Sequence, residues 1–204
     1  DGMSKSEDID HADILFVNTC TIRENADDKL YGTLGHLKKW KEQSSDRRLI
    51  VGGCAAQKDK ELVRDRAPWV DVVIGTHNTN DVINLLNQSE DWGPITKIVE
   101  ETLDIETEIL PVRESGFSAF VTIQIGCNNS CTFCIVPSVR GVEISRRPSD
   151  IINEIKNLSN EGVKEITLLG QNVNSYGRDL MIDNKRSPYL SLIHISEPTR
   201  QSKI

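Results

Sequence analysis

Short apolar runs alternate with longer amphipathic runs along the first half of the chain, and this alternation constrains the fold most. The apolar runs are ADILFVNTC, RRLIVGGC and VDVVIG; the segments that follow them are TIRENADDKLYGTLGHLKKW, QKDKELVRDRAP and TNDVINLLNQ. Leu30, Leu34 and Leu37 recur at helical spacing in the first of these segments. Thr21 and Glu24 form a capping box at its start. Apolar strands that alternate with helices predict an α/β fold with a parallel sheet.

Two α/β blocks joined by a linker account for most of the chain. We assign residues 1–88 to the first block and residues 89–115, which are acidic and lack clear periodicity, to a linker with room for one strand. The second block, residues 116–180, contains a predicted strand (FSAFVTIQIG), helix (PSDIINEIKNLSNEG) and strand (VKEITLLG). Residues 181–204 form a tail that continues neither pattern.

The composition indicates a cytoplasmic globular protein. Hydrophobic residues make up 37% and charged residues 27% of the chain, and no apolar run has the length of a membrane span. The N-terminal DGMSKSEDID has no signal-peptide pattern. In a reducing compartment, clustered cysteines bind metal or perform redox chemistry more often than they form disulfides. The net charge of −7 argues against a dedicated nucleic-acid-binding surface, although not against a local basic site.

Three of the five cysteines lie close together in the stretch GCNNSCTFCIVPSVRG. Cys127, Cys131 and Cys134 have the spacing C-x3-C-x2-C. This spacing also fits one face of a helix, where cysteine serves as a small core residue. Gly126 and Asn128 disfavour a helix, however, and favour a loop at the end of a strand.

A metal site is the alternative to a core role for these three cysteines. Zinc commonly takes C-x2-C pairs and needs a fourth ligand, for which no nearby histidine qualifies. A four-iron, four-sulfur cluster fits best, because thiolates are its normal ligands. Three cysteines would leave one iron open to bind a substrate or cofactor.

The loop resembles that of the radical S-adenosylmethionine (SAM) enzymes. C-x3-C-x2-C follows the first strand of a β/α unit, and an aromatic residue, Phe133, stands just before the third cysteine. The resemblance implies that the open iron binds the amino and carboxylate groups of SAM. It also implies that an electron from the cluster cleaves SAM to a 5′-deoxyadenosyl radical, which removes a hydrogen atom from the substrate.

Further motifs resemble the methylthiotransferase family within this superfamily. They are FVNTCTIRENADDKLYGTLGHLKKWKE, VGGCAAQKDK, APWVDVVIGTHN, GCNNSCTFCIVPSVRGVEISRRPSD and EITLLGQNVNSYG. Together they look most like its tRNA-modifying MiaB branch, which implies methylthiolation at C2 of N6-isopentenyl-adenosine in tRNA. Two alternatives stay open: a methylthiotransferase that acts on a ribosomal protein, and a non-catalytic zinc or iron-sulfur binding module.

The remaining two cysteines each end a predicted strand. Cys20 follows the first strand and Cys54 the second, and in a parallel sheet such positions share one edge. Helix N-termini at this edge would stabilise thiolates. Spacing alone also allows two unrelated buried cysteines. The resemblance implies that Cys20 and Cys54 hold an auxiliary four-iron cluster, together with a third cysteine nearer the N-terminus.

Other side chains carry weaker predictions. By resemblance, Gly170 and Gln171 at the end of the second strand contact the amino group of SAM, with Phe133 also at the SAM site, although Gln171 replaces the usual acidic residue. Three arginines after the cysteine loop could meet RNA phosphate, the SAM carboxylate or only solvent: Arg140, Arg146 and Arg147. Four scattered histidines form no ligand pattern: His11, His36, His77 and His194.

The resemblance also predicts the architecture and the partners. It implies a flavodoxin- or Rossmann-like N-terminal sheet without its first strand, which would lie beside residues 13–18, followed by the first units of a partial (β/α) barrel. It implies tRNA as substrate, an electron donor such as flavodoxin, a monomeric state and no membrane association. Since the first family cysteine, most of the barrel and the RNA-binding domain are not in the sequence, we expect an unstable auxiliary cluster and no methylthiolation of tRNA by these 204 residues alone.

Overall fold

The computed structural model forms two compact units, which are described separately. The structure describes residues 3–21, 26–100, 116–182 and 185–186. The N-terminal unit draws its residues from Asp1–Glu101 and Phe133–Arg140, and the C-terminal unit from Thr102–Thr132 and Gly141–Ile204. In the described part of the chain, no helix combines the length and the apolar character needed to cross a membrane.

A four-stranded parallel sheet forms the centre of the N-terminal unit. Its strands are β1 (Ile14–Thr19), β2 (Arg48–Gly53), β3 (Val72–Ile74) and β4 (Ile95–Lys97), in that spatial order. Its helices are α1 (Ala26–Glu42), α2 (Cys54–Asp59), α3 (Leu62–Arg66) and α4 (Val82–Trp92). The predicted α/β class and parallel sheet are confirmed. Among the described residues β1 pairs only with β2, so it lies at an edge.

The two faces of this sheet pack against different helices. Leu49 and Val51 of β2 face a core that includes Leu34 of α1. Ile50, between them, faces the opposite core with Leu85 of α4. Because side chains alternate along a strand, a continuous apolar run supplies both cores. The continuous run RRLIVGG therefore has the pattern of a strand buried on both faces.

The second helical segment is two helices rather than one. The chain takes a positive φ of 52° at Lys60, which ends α2, and α3 starts at Leu62. The Lys60 N–H donates to the carbonyl of Ala56 at 2.9 Å, closing the last turn of α2. This break lets Val63 be completely buried in the core of α1. Lysine rarely adopts a positive φ, so the sequence pattern predicted one continuous helix across this position.

The sheet continues beyond residue 88, where the sequence analysis ended the first block. Helix α4 runs to Trp92, and β4 then pairs in parallel with β3. The linker predicted for residues 89–115 therefore starts too early. Strand β4 has only three residues, too few to show an alternating pattern. Residues 101–115 of the predicted linker and Glu24 of the predicted capping box lie outside the described residues.

A β/α/β unit forms the main part of the C-terminal unit. Strand β5 (Ser118–Thr122) pairs in parallel with β8 (Glu165–Leu169). Helix α6 (Pro148–Asn160) lies between them in sequence. Its residues Ile151 and Leu158 are buried against Ala119, Val121 and Ile123. The predicted strand, helix and strand are present.

Two short antiparallel pairs complete the C-terminal unit. The predicted strand FSAFVTIQIG divides after β5, and its end, β6 (Gln124–Ile125), pairs with β7 (Ile144–Ser145). Strands β9 (Met181–Ile182) and β10 (Lys185–Arg186) pair within the predicted tail. All four are two residues long, so the sequence pattern could not reveal them. Helix α5 (Val136–Arg140), which belongs to the N-terminal unit, was not predicted either.

A polar network joins α1 to α2 in the N-terminal unit. Lys58 forms ion pairs with Asp27 and, at 3.3 Å, with Asp59. The Thr21 hydroxyl donates to Asp27 at 3.2 Å, and the Tyr31 hydroxyl donates to Asp59 at 2.6 Å. The hydrogen bond from Lys58 lowers the pKa of Asp27, and burial together with Asp59 raises the pKa of Tyr31 to about 12.

The Asp27 pKa shift predicts acid-dependent stability. A folded-state pKa below the ordinary 3.8 stabilises the fold above that pH, and this contribution is lost as pH falls through the folded pKa. We expect Asp27→Asn to reduce the free energy of unfolding at about pH 7 and to approach the wild-type value at about pH 3. Urea unfolding at both pH values measures the difference. A difference that grows toward acid pH would contradict this assignment, and high salt should shrink it.

An ion pair stabilises the C-terminal unit between the end of β7 and α6. Arg146 Nη1 lies 2.7 Å from Glu154 Oε2, and both side chains are 11% exposed. The same Nη1 donates to the carbonyl of Thr122 at 2.8 Å. Removing one member leaves the other poorly solvated and unpaired, so we expect Glu154→Ala to lower the free energy of unfolding by about 3 kcal/mol.

The control for this prediction is a solvent-exposed ion pair of the same protein. Lys38 and Glu42 are 3.9 Å apart with side chains 51% and 61% exposed. Glu42→Ala should therefore cost at most about 0.5 kcal/mol. Chemical denaturation of both variants compares the two costs. Equal losses would show that burial does not strengthen the Arg146–Glu154 pair.

Candidate functional site

The carboxyl ends of β1 and β2 bring two cysteines to one edge of the sheet. Thr19 is paired in register with Gly53, and Cys20 and Cys54 are the next residues of their strands. Cys54 is buried and begins α2, whereas Cys20 is exposed. Neither takes part in a disulfide. The structure thus places both cysteines at the edge where the sequence analysis expected them.

The turn into α2 depends on a glycine. Gly53 has φ of 93°, a conformation that side-chain-bearing residues rarely adopt. A Cβ there would lie 2.4 Å from Asn18 Oδ1 and 2.5 Å from the carbonyl oxygen of Thr19. The close approach of β1 and β2 at this point therefore excludes a side chain. Because residue 53 has no side chain, the two strand ends that lead to the cysteines can lie close together.

The end of β3, next to β2, is held by a buried glutamine. Gln57 of α2 accepts a hydrogen bond from the Thr76 N–H at 3.0 Å and donates to the carbonyl of Val99 at 2.9 Å. A Cβ on Gly75 would lie 2.1 Å from Gln57 Oε1. His77, in the same GTHN motif, is half-buried.

The three-cysteine loop begins at the end of β6 and is fastened at its first residues. Gly126 has φ of 73°, and a Cβ there would lie 1.9 Å from the carbonyl oxygen of Val142. The Cys127 N–H donates to the carbonyl of Gly141 at 3.2 Å. One residue further, Asn128 Oδ1 accepts from the Glu143 N–H at 3.0 Å. The entrance of the loop is therefore fixed against residues 141–143.

The thiols of this loop differ in exposure. Cys127 is 7% exposed, whereas Cys131 and Cys134 are on the surface. In the ranges that the structure describes, no three His, Cys, Asp or Glu side chains are close enough to share a metal ion. The loop thus lies where it was predicted, but its thiols are not gathered around one point.

The donor set nevertheless suits an iron-sulfur cluster. Its members are all thiols, which are the normal ligands of such clusters, and none of them is in a disulfide. Metal binding supplies free energy that can order flexible ligands, so a preformed cage is not required. Phe133, between Cys131 and Cys134, is fully exposed among the residues that the structure describes.

The predicted SAM-contact residues follow β8 in the C-terminal unit. Gly170 comes directly after the strand, and the exposed Gln171 comes next. A Cβ on Gly170 would lie 3.2 Å from Oε1 of the buried Gln124 of β6. Gln124 Nε2 donates to the Ser175 hydroxyl at 3.1 Å. Gly170 therefore lies beside the strand that leads into the cysteine loop.

Gln124 is a buried polar residue beside Gly170 that the sequence analysis did not single out. Its Oε1 is buried and accepts no hydrogen bond from the residues that the structure describes. The available signal was a glutamine inside an otherwise apolar strand, VTIQIG. A buried amide oxygen without a hydrogen-bond partner is costly, which makes Gln124 a candidate for the functional region.

The three arginines after the cysteine loop differ in their contacts. Arg146 is held by Glu154 and the Thr122 carbonyl, which gives it a structural role rather than a role in phosphate binding. Arg140 is half-buried at the end of α5, and Arg147 is exposed before α6. Contacts of these two with RNA or SAM stay predictions. The described histidines are dispersed, and His194 lies outside the described residues.

Two family matches cover separate parts of the chain. Residues 1–75 match the uncharacterized protein family UPF0004, and residues 121–195 match the radical SAM superfamily. The second match continues beyond residue 180, where the sequence analysis ended the resemblance and began the tail. It includes Cys127, Cys131 and Cys134.

Three similar curated proteins carry the name tRNA-2-methylthio-N(6)-dimethylallyladenosine synthase. The protein from Cutibacterium acnes is 55% identical over 81% of this chain and 34% of its own length. The protein from Mycobacterium bovis is 50% identical over 86% of this chain and 35% of its own length. The protein from Corynebacterium efficiens is 46% identical over 94% of this chain and 37% of its own length. The chain thus spans about a third of the length of these relatives.

Solved structures show the same fold at low sequence identity. The radical SAM methyltransferase TsrM from Kitasatospora setae, with tryptophan and a SAM analogue bound, aligns with a TM-score of 0.50 and 10% identity. This alignment covers 79% of this chain and 37% of that protein. The same protein with cobalamin and a [4Fe-4S] cluster gives a TM-score of 0.50 at 12% identity. The chain is thus similar to radical SAM proteins over residues 121–195 and to tRNA-2-methylthio-N(6)-dimethylallyladenosine synthases over most of its length.

Proposed function

We propose that this chain supplies the radical SAM cluster loop of a tRNA methylthiotransferase, which methylthiolates C2 of N6-isopentenyl-adenosine. We expect these 204 residues alone not to perform the reaction. The observation that carries the proposal is the C-x3-C-x2-C loop that follows β5 and β6, in a chain 46–55% identical to tRNA-2-methylthio-N(6)-dimethylallyladenosine synthases. The names of these relatives favour tRNA over a ribosomal protein as substrate. The match of residues 121–195 to the radical SAM superfamily favours an enzyme over a binding module.

Cys127, Cys131 and Cys134 are the proposed ligands of the radical SAM [4Fe-4S] cluster. When bound, the cluster supplies the electron that cleaves SAM. The protein's own part is to hold three thiolates and to leave one iron position for the cofactor. Phe133, Gly170 and Gln171 are the proposed SAM contacts. The position of Gln124 beside Gly170 supports this placement. A side chain at residue 170 would crowd Gln124, so the backbone there stays uncovered by a side chain of its own.

Cys20 and Cys54 are the proposed ligands of an auxiliary cluster. Their adjacent positions after the Thr19–Gly53 pair support a shared ligand role. Cys54 lies at the first residue of α2. Two cysteines do not complete the ligand set of a four-iron cluster, so this site needs at least one further thiolate.

The proposed partners follow from the chemistry. The substrate is tRNA, the reductant is a protein such as flavodoxin, and the compartment is the cytoplasm. We propose a monomer. Since the net charge is −7, RNA contacts would have to be local, and the exposed Arg147 is one candidate for such a contact.

The cluster assignment predicts iron binding that depends on exposed thiols. After anaerobic reconstitution with iron and sulfide, we expect Cys131→Ser and Cys134→Ser each to lose the radical SAM cluster, which is about four iron atoms per chain. Both positions are exposed, so the substitutions should leave folding intact. Metal analysis and absorption near 400 nm measure the loss.

Thr132→Ala is the matched control, because Thr132 is an exposed residue of the same loop without a thiol. It should retain the wild-type iron content. A Cys131→Ser protein with full iron content and unchanged SAM binding would refute the ligand assignment. Purified protein that holds zinc and takes up no iron would support a binding module instead.

Substrate identity is tested in a full-length setting. Residues 1–180 of this chain replace the matching segment of the 55% identical relative from Cutibacterium acnes. We expect the chimera to add a methylthio group to isopentenyl-adenosine in tRNA, as detected by nucleoside mass spectrometry. The same chimera with Cys131→Ser should leave the nucleoside unmodified. A methylthio group on ribosomal proteins instead of tRNA would establish the alternative substrate.

A further inference from the structure

Helix α5 carries the segment around Cys134 into the N-terminal unit. Phe133–Arg140 belongs to that unit, although Thr102–Thr132 and Gly141–Ile204 do not. Val136 and Val139 of α5 are buried, and α5 packs against α2, the helix that begins with Cys54. The last ligand of the proposed radical SAM cluster is thus attached to the unit that holds Cys20 and Cys54.

One side-chain hydrogen bond fastens α5 at its C-terminal end. The Thr76 hydroxyl donates to the carbonyl oxygen of Val139 at 2.7 Å. Carbonyls in the last turn of a helix have no partner within the helix, so they take one from elsewhere. Among the described residues after α5, no backbone N–H donates to this carbonyl, and the Glu143 N–H donates to Asn128 instead. Thr76 therefore satisfies a carbonyl that the five-residue helix leaves unpaired.

Thr76 is itself held firmly. Its N–H donates to Gln57 Oε1, and Gln57 is 2% exposed and also bonded to the Val99 carbonyl. Gly75 could not accept a side chain next to this amide. The hydroxyl therefore projects from a fixed point at the end of β3, the neighbour of the strand that leads to Cys54.

We propose that Thr76 is the positioning residue for Cys134, an inference that rests on the proposed function. A helix of five residues is not stable by itself, so tertiary contacts set its position. Contacts of the two valines are apolar and not directional, and they allow the helix to rotate or slide. The hydrogen bond is directional and fixes both movements. Cys134 lies two residues before α5 and moves with it.

The proposal explains why a threonine stands in the GTHN motif, to which the proposed reaction assigns no role. Cys127 is fastened separately, through its N–H and Gly141. A cluster held by three thiolates requires all three within about 0.5 Å of their bonding positions. Separate hydrogen bonds near Cys127 and near Cys134 therefore reduce the number of conformations that the loop can adopt before the cluster binds.

Thr76→Val and Thr76→Ser test the inference. Valine keeps the shape and removes the donor, whereas serine keeps the donor. In the metal-free chain, we expect hydrogen–deuterium exchange of residues 135–141 to accelerate about 3–10-fold in Thr76→Val, the range for one net hydrogen bond. In the reconstituted chain, we expect the Kd for SAM to rise by a similar factor with the iron content retained. Thr76→Ser should restore both values to within about twofold.

Tyr31→Phe is the matched control. It removes one hydrogen bond, to Asp59, from the same unit without touching α5. It should change neither the exchange of residues 135–141 nor the Kd for SAM. The inference is overturned if Thr76→Val behaves as wild type, if serine fails to restore the wild-type values, or if Tyr31→Phe has the same effect. Failure of the wild-type chain to bind iron or SAM would overturn the proposed function, and exchange would still decide whether Thr76 anchors α5.

Discussion

The register of the parallel strands in the N-terminal unit decides which side chains can meet. Leu49 and Val51 face one core, and Ile50 faces the other. A slip of one residue would exchange the two faces, so burial on both sides fixes the register. Once Thr19 is opposite Gly53, the next residue of each strand is a cysteine at the same edge. The placement of Cys20 and Cys54 is thus a consequence of apolar packing several residues away.

In both units, a buried glutamine side chain packs against a glycine at the end of a strand. Gln57 occupies the space beside Gly75, and Gln124 occupies the space beside Gly170. In each case a buried amide links a strand end to another element, α2 in the first and the turn with Ser175 in the second. An amide can donate and accept at once, which suits it to this linking role. The same arrangement therefore supports the proposed auxiliary site and the proposed SAM site.

Periodicity predicted the long elements, and tertiary contacts determined the rest. The apolar runs around Leu49 and Val121 and the helical spacing of Leu30 and Leu34 were sufficient to predict strands, helices and a parallel sheet. The two-residue strands carry no period, and the break at Lys60 has no local signal. The cysteine loop was visible because ligand spacing is local. The partners of Thr76 and Gln124 were not, because 63 and 51 residues separate the bonded groups.

The exposure of the thiols bears on how a cluster would be acquired. Three thiolates held together without metal would repel one another and would oxidise readily, since thiolate character and exposure govern oxidation. In this chain Cys127 is buried and Cys131 is exposed, and the described cysteines are not gathered as a ligand set. Cluster binding would then supply the free energy that closes the loop. Anchors such as the Thr76–Val139 hydrogen bond reduce the conformational entropy lost in that closure, and a shorter mobile segment loses less. A fixed anchor for α5 is therefore compatible with a loop that becomes ordered when the cluster binds.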